Sequence, residues 1–247
     1  MTADLRFWFD PVCPFAWMTS KWVRTVAAQR DYEVEWRFIS LRLLNRDVDY
    51  DKHFPPGYDA GHTAGLRLLR VAACARAGHG PAAVAALYEA IGAQVFEVGP
   101  EAAAVPDRIE ELVVVALAEA GLPGILGTAL EDPVWDEQIQ QETDEALALT
   151  GKDVGTPILE FRAPGNAGQP SGGVAFFGPV ISRLPSEAEA LELWDHVIGL
   201  ASFPGFAELK RSLRERPQLP TFGIPADTAG LTEDWHGGSR RTKEERG

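Results

Sequence analysis

The chain has 247 residues, 45% of them hydrophobic, which is enough to bury a core in one large domain or in a domain with an insertion. Its net charge of −13 is uneven, because residues 97–145 hold 13 acidic side chains and one basic one, against 23 acidic and 22 basic elsewhere. The sequence therefore has no basic stripe for nucleic acid. We expect the acidic block to be a solvated helical surface, with a docking face for a basic partner as the alternative.

Other function classes are also disfavoured by composition. There is no apolar run of about 18 residues and no secretion signal at the N-terminus, so we expect a cytoplasmic protein that does not enter the membrane. Two cysteines, Cys13 and Cys74, are too few for a disulfide framework and favour a reducing compartment. The five histidines lack metal-ligand spacing, and no nucleotide-binding glycine pattern occurs, so we expect no metal and no tightly bound cofactor. The sequence leaves a homodimer open.

The first forty residues predict a β-α-β unit. Residues 5–9 form a short β-type run, residues 14–30 carry apolar side chains at helical spacing, and residues 34–38 alternate as a half-buried strand does. Pro14 suits the first position of the helix because its missing N–H would have no partner there. A crossover between parallel strands would leave Cys13 at the C-terminal edge of the first strand, where open α/β sheets place ligands.

The rest of the chain alternates between helical and β patterns. We predict a loop over 41–61, about five helices over 62–151, and strands at 158–161 and 174–178 joined by a long mobile loop at 162–173. A final helix opens at Ser186, with Glu189 as its capping-box partner, and a short amphipathic segment follows at 206–213. From about Glu215 we expect a flexible or surface tail.

Cys13 is the first candidate for chemistry. A thiol at a helix start faces unpaired backbone N–H groups and the positive end of the helix dipole, and both favour the thiolate. We therefore expect a lowered cysteine pKa and a nucleophilic sulfur.

Several stretches in order resemble a known family. They are Phe-Asp-Pro-Val-Cys-Pro-Phe-Ala-Trp around Cys13, Ser-Leu-Arg-Leu-Leu-Asn at 40–45, Val-Gly-Thr-Pro at 154–157, Gly-Val-Ala-Phe-Phe-Gly-Pro at 173–179 and Phe-Ala-Glu-Leu-Lys-Arg at 206–211. The chain resembles DsbA-like proteins of the thioredoxin superfamily, in particular actinobacterial ones that include mycothiol-dependent nitroreductases. The resemblance implies an α/β, thioredoxin-like fold with an all-helical insertion. The thioredoxin-like domain would comprise 1–60 and 152–213, the insertion 61–151 and a C-terminal tail 214–247.

The resemblance also implies a site. Cys13 would be the nucleophile, and the Thr156–Pro157 bond would be cis and lie beside it. Pro14, Phe15 and Trp17 would contact the substrate or thiol, with Phe15 exposed and Trp17 more commonly a core residue in its own right. By position in the same stretches, Asn45 and Tyr58 would line the cleft.

Position 16 departs from the family. Dithiol members carry Cys-Pro-x-Cys, whereas Ala16 stands where a resolving thiol would attack a mixed disulfide on Cys13. Cys74 could substitute, although packing is the more common role of a cysteine in an alanine-rich helix. The prediction is a cytoplasmic monothiol oxidoreductase, in which a low-molecular-weight thiol, mycothiol or glutathione, resolves the adduct formed with a small electrophilic or disulfide substrate.

Three alternatives stay open. Cys13 could activate a bound thiol without forming a disulfide, as in kappa-class glutathione transferases and related isomerases. It could be a remnant on a degenerate fold that only binds. Ala16 could also be an engineered replacement for a second cysteine. Nitroreduction fits less well, because no internal dithiol at the motif could deliver two electrons.

Overall fold

A mixed four-stranded sheet forms the centre of the computed structural model, which describes residues 3–162, 173–210, 213–215, 217–223 and 232–234. The strands are β1 Leu5–Phe9, β2 Val34–Phe38, β3 Ile158–Phe161 and β4 Val174–Phe177, in the spatial order β2-β1-β3-β4. β2 runs parallel to β1, while β3 is antiparallel to both β1 and β4. The predicted β-α-β opening is confirmed, and β1 is a fully buried central strand.

Two long helices pack beside each other and the sheet. They are α1, Pro14–Arg30, and α8, Glu187–Ala201, and the indole N–H of Trp22 donates to the carbonyl of Ala190 at 3.0 Å. α8 begins with the predicted capping box, in which Ser186 and Glu189 each satisfy a backbone N–H of the first turn.

The segment between β2 and β3 is helical. Its α-helices are α2 Leu41–Leu44, α3 Tyr50–His53, α4 Tyr58–His79, α5 Pro81–Phe96, α6 Ile109–Glu119 and α7 Asp136–Thr150, with 3₁₀ helices at Val105–Arg108, Gly124–Glu131 and Pro133–Trp135. The predicted loop at 41–61 is therefore wrong, because α2, α3 and the start of α4 lie within it. Helices of one turn are too short to produce a periodic pattern. From residue 62 onward the stretch holds four α-helices and three 3₁₀ helices instead of about five. Across the described residues, no helix combines the length and the apolarity that crossing a membrane would require.

The C-terminal part also differs from the prediction. Residues 206–210 are not helical, and a strand, β5 Leu213–Glu215, pairs with β6 Thr232–Asp234. Leu219 is buried in the core, and the N–H of Gln218 donates to the Ser182 carbonyl at 2.7 Å, so this part of the expected tail is packed against the body. Residues 163–172 of the predicted mobile loop lie outside the described residues.

Alternating charges connect the sheet to the insertion. They form what we call the clasp, which consists of Arg6, Arg37, Glu160, Glu145, Glu142 and Arg76. Its members lie on β1, β2, β3, α4 and α7. The Glu142 carboxylate also accepts the N–H of Phe38 at 2.9 Å, which satisfies a backbone donor on the edge strand β2. Part of the acidic block is thus internally paired rather than purely solvated surface.

Replacing Glu142 should be costly because it leaves Arg76 and the Phe38 N–H without their acceptor. We expect Glu142→Ala to lower the free energy of unfolding by about 3 kcal/mol, as for other buried pairs that lose one partner. Urea denaturation measures the loss. Asp144→Ala, an exposed change on the same helix, should cost less than about 0.5 kcal/mol. Equal small effects in the two variants would contradict a stabilising role for the clasp.

Candidate active site

Cys13 forms the N-cap of α1, directly after the turn that follows β1. Its backbone N–H donates to the Asp10 carbonyl at 3.0 Å, and its sulfur accepts the Ala16 N–H at 3.4 Å. Pro14 occupies the first helical position, as predicted, and is half-exposed. The sulfur thus takes the place that a Ser or Asp side chain fills in an ordinary N-cap.

The segment at 156–157 lies against this sulfur. The Cys13 thiol donates to the Thr156 carbonyl at 3.4 Å, and the Thr156–Pro157 peptide bond is cis. The Thr156 hydroxyl donates to the Trp8 carbonyl at 3.1 Å, which fastens the segment to β1. The chain therefore brings together two stretches that are 143 residues apart in sequence.

The predicted activation of Cys13 is not what the structure shows. Only 7% of the residue is exposed. Burial raises the pKa of the Cys13 thiol to about 12, although N–H groups of Ala16 and Phe15 act in the opposite direction and the Asp10 charge adds to the rise. Removal of the sulfur from water outweighs the two hydrogen bonds, so the thiol is protonated at neutral pH in this conformation.

The two aromatic residues of the motif are core residues. Phe15 is 8% exposed, which contradicts the expectation of an exposed contact. Trp17 is 3% exposed, and its indole N–H donates to Glu97 at 2.8 Å. A Cβ atom at Gly92 would lie 2.2 Å from the Trp17 ring, so this side chain packs directly on α5 instead of lining a cleft.

Asn45 is the C-cap of α2 and Tyr58 is the first residue of α4, and these two helices contact the turn before Cys13 through Leu41 and Gly65. Asn45 is 3% exposed and donates its amide to the Leu41 carbonyl at 2.8 Å, and its Oδ1 atom has no hydrogen-bond partner among the described residues. Tyr58 is 44% exposed and stacks on Phe54 with ring centroids 5.7 Å apart. The structure therefore groups Cys13 with Thr156, while Asn45 and Tyr58 occupy neighbouring elements.

Asp10 is the residue of this region that the sequence reasoning missed. It is fully buried, and its carboxylate accepts the N–H of Val12 at 3.0 Å and that of Leu41 at 2.7 Å. A Cβ atom on Gly65 of α4 would lie only 2.6 Å from Oδ1. Burial raises the pKa of Asp10 to about 7 against the lowering effect of the two N–H groups. The sequence did contain a signal for this residue, because Asp10 is a single acidic side chain directly after an apolar strand.

The remaining reactive side chains lie elsewhere. Cys74 is on α4, nine residues after Gly65, which corresponds to about 13 Å along a helix. It packs against the core, and burial together with the Asp132 charge raises its pKa. This placement supports packing over a resolving role. Within the described ranges, no group of three or more His, Cys, Asp or Glu side chains is arranged to hold a metal ion.

The raised pKa of Asp10 makes stability depend on pH. The folded state binds this proton more tightly than the unfolded state, so the contribution is fully present below about pH 4 and is lost as pH rises through about 7. We expect the unfolding free energy of the wild type to fall relative to Asp10→Asn across this range, measured by urea denaturation. Asp47→Asn changes a side chain that is 92% exposed, so its unfolding free energy should vary with pH as that of the wild type does. A difference in unfolding free energy between the wild type and Asp10→Asn that stays constant with pH would contradict the raised pKa of Asp10.

Comparisons with known proteins identify the family and the fold. The Rv2466c-like model, described as mycothiol-dependent nitroreductase Rv2466c, matches residues 12–211. An uncharacterized protein of Mycobacterium tuberculosis, Rv2286c, is 33% identical over 208 residues, covering 83% of this chain and 80% of that protein. The crystal structure of the probable DsbA oxidoreductase SCO1869 from Streptomyces coelicolor superimposes with a TM-score of 0.50 at 17% identity, over 88% of this chain and 98% of that one, which supports the thioredoxin-like fold with a helical insertion. The chain belongs to the Rv2466c-like family of mycothiol-dependent nitroreductases.

Proposed function

We propose that the protein is a thiol-dependent oxidoreductase in which Cys13 alone forms the covalent adduct and mycothiol resolves it. The family name supplies the link to mycothiol, and the DsbA-like fold supplies the link to disulfide chemistry. A cytoplasmic location, where low-molecular-weight thiols are kept reduced, belongs to the same proposal.

One observation carries this proposal. The Cys13 sulfur lies 3.4 Å from the Thr156 carbonyl at the cis Thr156–Pro157 bond, and the residue one helical turn further on is Ala16, which has no sulfur. A disulfide within the motif cannot form. Cys74 lies about 13 Å along α4 from Gly65, the residue that packs against Asp10, and this separation supports a resolving thiol that comes from outside the chain.

The proposed exchange balances as follows. Cys13 loses its proton, and the thiolate attacks one sulfur of a disulfide, so that one S–S bond forms, the old one breaks and the leaving thiolate takes up a proton. A molecule of mycothiol, as thiolate, then attacks the sulfur bound to Cys13 and releases it as a thiol. Each S–S bond that breaks is replaced by one that forms, with no other oxidant or reductant.

Access to Cys13 limits where substrate can bind. Val12 and Pro14, on either side of Cys13, are half-exposed, whereas Phe15 is buried. We therefore propose that substrate approaches over the 12–14 turn, with the exposed ring of Tyr58 and the end of α2 at Asn45 beside it. Nitroreduction is not part of this proposal, because position 16 holds Ala and the motif lacks a dithiol.

A second function is favoured by the protonated state of the thiol. Burial holds the pKa of Cys13 at about 12, and a neutral S–H can donate a hydrogen bond to a bound thiolate. In such transferase or isomerase chemistry Cys13 would orient the cosubstrate thiol and never become covalently bound.

Intact-mass spectrometry separates these two functions. After exposure to mycothiol disulfide or glutathione disulfide, we expect one adduct of the corresponding thiol on the wild type, faster with mycothiol, and none at this position in Cys13→Ser. Peptide mapping places the adduct and separates it from any modification of Cys74. An unmodified Cys13 under conditions that modify the unfolded chain would exclude the covalent mechanism and leave the second function.

Restoring a thiol at position 16 tests the geometry of the motif. Ala16 is fully buried and its N–H contacts the Cys13 sulfur, so a sulfur on its Cβ would face Cys13 one turn along the helix. We expect Ala16→Cys to lose two hydrogens on mild oxidation and to release a bound thiol without added mycothiol. Ala16→Ser is the matched control and should retain the adduct. A stable adduct in Ala16→Cys would show that the two positions do not face each other.

A further inference from the structure

We propose that residues 217–223 form a strap across the first two turns of α1, and that this strap must move away before a substrate can reach Cys13 from that side. The inference rests on the proposed role of Cys13 as the reactive thiol. It goes beyond that role by assigning control of access to a segment that follows the part of the chain matched by the family model, residues 12–211.

Both ends of the strap are attached to the body of the protein. At its start, the N–H of Gln218 donates to the Ser182 carbonyl at 2.7 Å. At its end, the 3₁₀ turn Pro220–Phe222 contacts α5, and a Cβ atom at Gly223 would lie 3.9 Å from the Pro100 ring. The strap therefore joins the segment that follows β4 to the segment that follows α5.

Helix α1 lies between these two attachments. On one side, the Thr19 hydroxyl donates to the carbonyl of Pro179, three residues before the first attachment. On the other side, the Trp17 indole N–H donates to Glu97, three residues before the second attachment. Residues 17 and 19 point about 200° apart around a helix. Because the sheet occupies the inner side of α1, a segment that joins the two attachments crosses its outer side.

The burial of α1 agrees with a cover at this place. Met18 lies on the same side of the helix as Pro14, Lys21 and Thr25, which are four residues before it and three and seven residues after it. These three residues are half-exposed, whereas Met18 is 1% exposed. Leu219 is also 1% exposed and belongs to the same hydrophobic cluster. We therefore assign the cover of Met18 to the strap, with Leu219 as its apolar anchor.

A cover on the first turns of α1 limits the approach to the sulfur. Phe15 and Cys13 are 8% and 7% exposed, although Val12 and Pro14 beside them are half-exposed. Movement of the strap would return water to this end of the helix. Water stabilises the thiolate, and the open state also admits a reagent. The reactivity of Cys13 should therefore follow the fraction of molecules in which the strap is open.

Alkylation of Cys13 by iodoacetamide at pH 8, in urea from zero to about 2 M, tests whether access requires only local opening. Trypsin separates Cys13, in the peptide 7–21, from Cys74, in the peptide 71–76, so Cys74 is an internal reference. Opening of a short strap exposes little surface, so we expect the Cys13 rate to change less than about twofold per molar urea. Access through global unfolding would raise this rate more than about fivefold per molar.

Variants assign the opening to the strap. Leu219→Ala should make alkylation of Cys13 at least about tenfold faster, because loss of a buried leucine side chain weakens the closed state, while the Cys74 rate should change less than about twofold. Leu209→Ala makes the same replacement at a side chain that is 79% exposed, and its Cys13 rate should match that of the wild type. Gly223→Ala strains the end of the strap, where φ is +66°, without changing the core, and should give a smaller rise of about threefold.

Two outcomes would overturn the proposal. One is a wild-type Cys13 rate that rises with urea as steeply as global unfolding requires, and this measurement needs no variant. The other is an unchanged Cys13 rate, or an equal rise at Cys13 and Cys74, in Leu219→Ala. If that variant does not fold, Gly223→Ala decides by the same criterion.

The alkylation assay contains no low-molecular-weight thiol, so it separates the strap from the proposed function. A normal adduct with mycothiol disulfide beside an unchanged alkylation rate in the variants would reject only the strap. Faster alkylation in the variants without any adduct would reject only the proposed function.

Discussion

Burial of the turn between β1 and α1 is the constraint on which the rest of the site depends. The turn carries two acidic groups, and its backbone is fastened to α2 through the Asp10 carboxylate and to the 156–157 segment through the Cys13 thiol. Each attachment satisfies a polar group that would otherwise be buried without a partner. The cost is that neither the thiol nor the carboxyl ionises as it would in water.

The helical insertion contributes directly to this constraint. Gly65 of α4 closes over Asp10, and the Trp17 ring of α1 packs on Gly92 of α5. The clasp holds α7 and α4 to the sheet, where Glu142 accepts donors from β2 and from Arg76. The insertion is therefore part of the wall of the reactive turn. Movement of α4 relative to the sheet would change the solvation of Cys13, and with it the balance between thiol and thiolate.

Local patterns were sufficient for the main elements. Apolar spacing predicted β1, α1, β2, β3 and α8, and the Ser186 capping box predicted where α8 begins. Helices α2 and α3 were missed because a helix of one turn is too short to show a periodic pattern. The packing of Leu219 was missed because it depends on residues that are distant in sequence. The role of Asp10 was missed for the same reason, because its hydrogen-bond donor Leu41 is 31 residues away in sequence. The pKa of Cys13 was predicted in the wrong direction. The helix-start rule is local, whereas the desolvation that outweighs it comes from the whole fold.

A buried, protonated thiol suits a monothiol enzyme better than an exposed thiolate would. With Ala16 in the motif, any adduct on Cys13 stays until an external thiol removes it, so indiscriminate reaction would trap the protein. An S–H held against the Thr156 carbonyl reacts slowly with whatever diffuses past, because little thiolate is present. Substrate that binds over the 12–14 turn could displace this hydrogen bond and leave the sulfur free to react. Reactivity would then be coupled to binding, and selectivity would come from the same burial that suppresses the free thiolate.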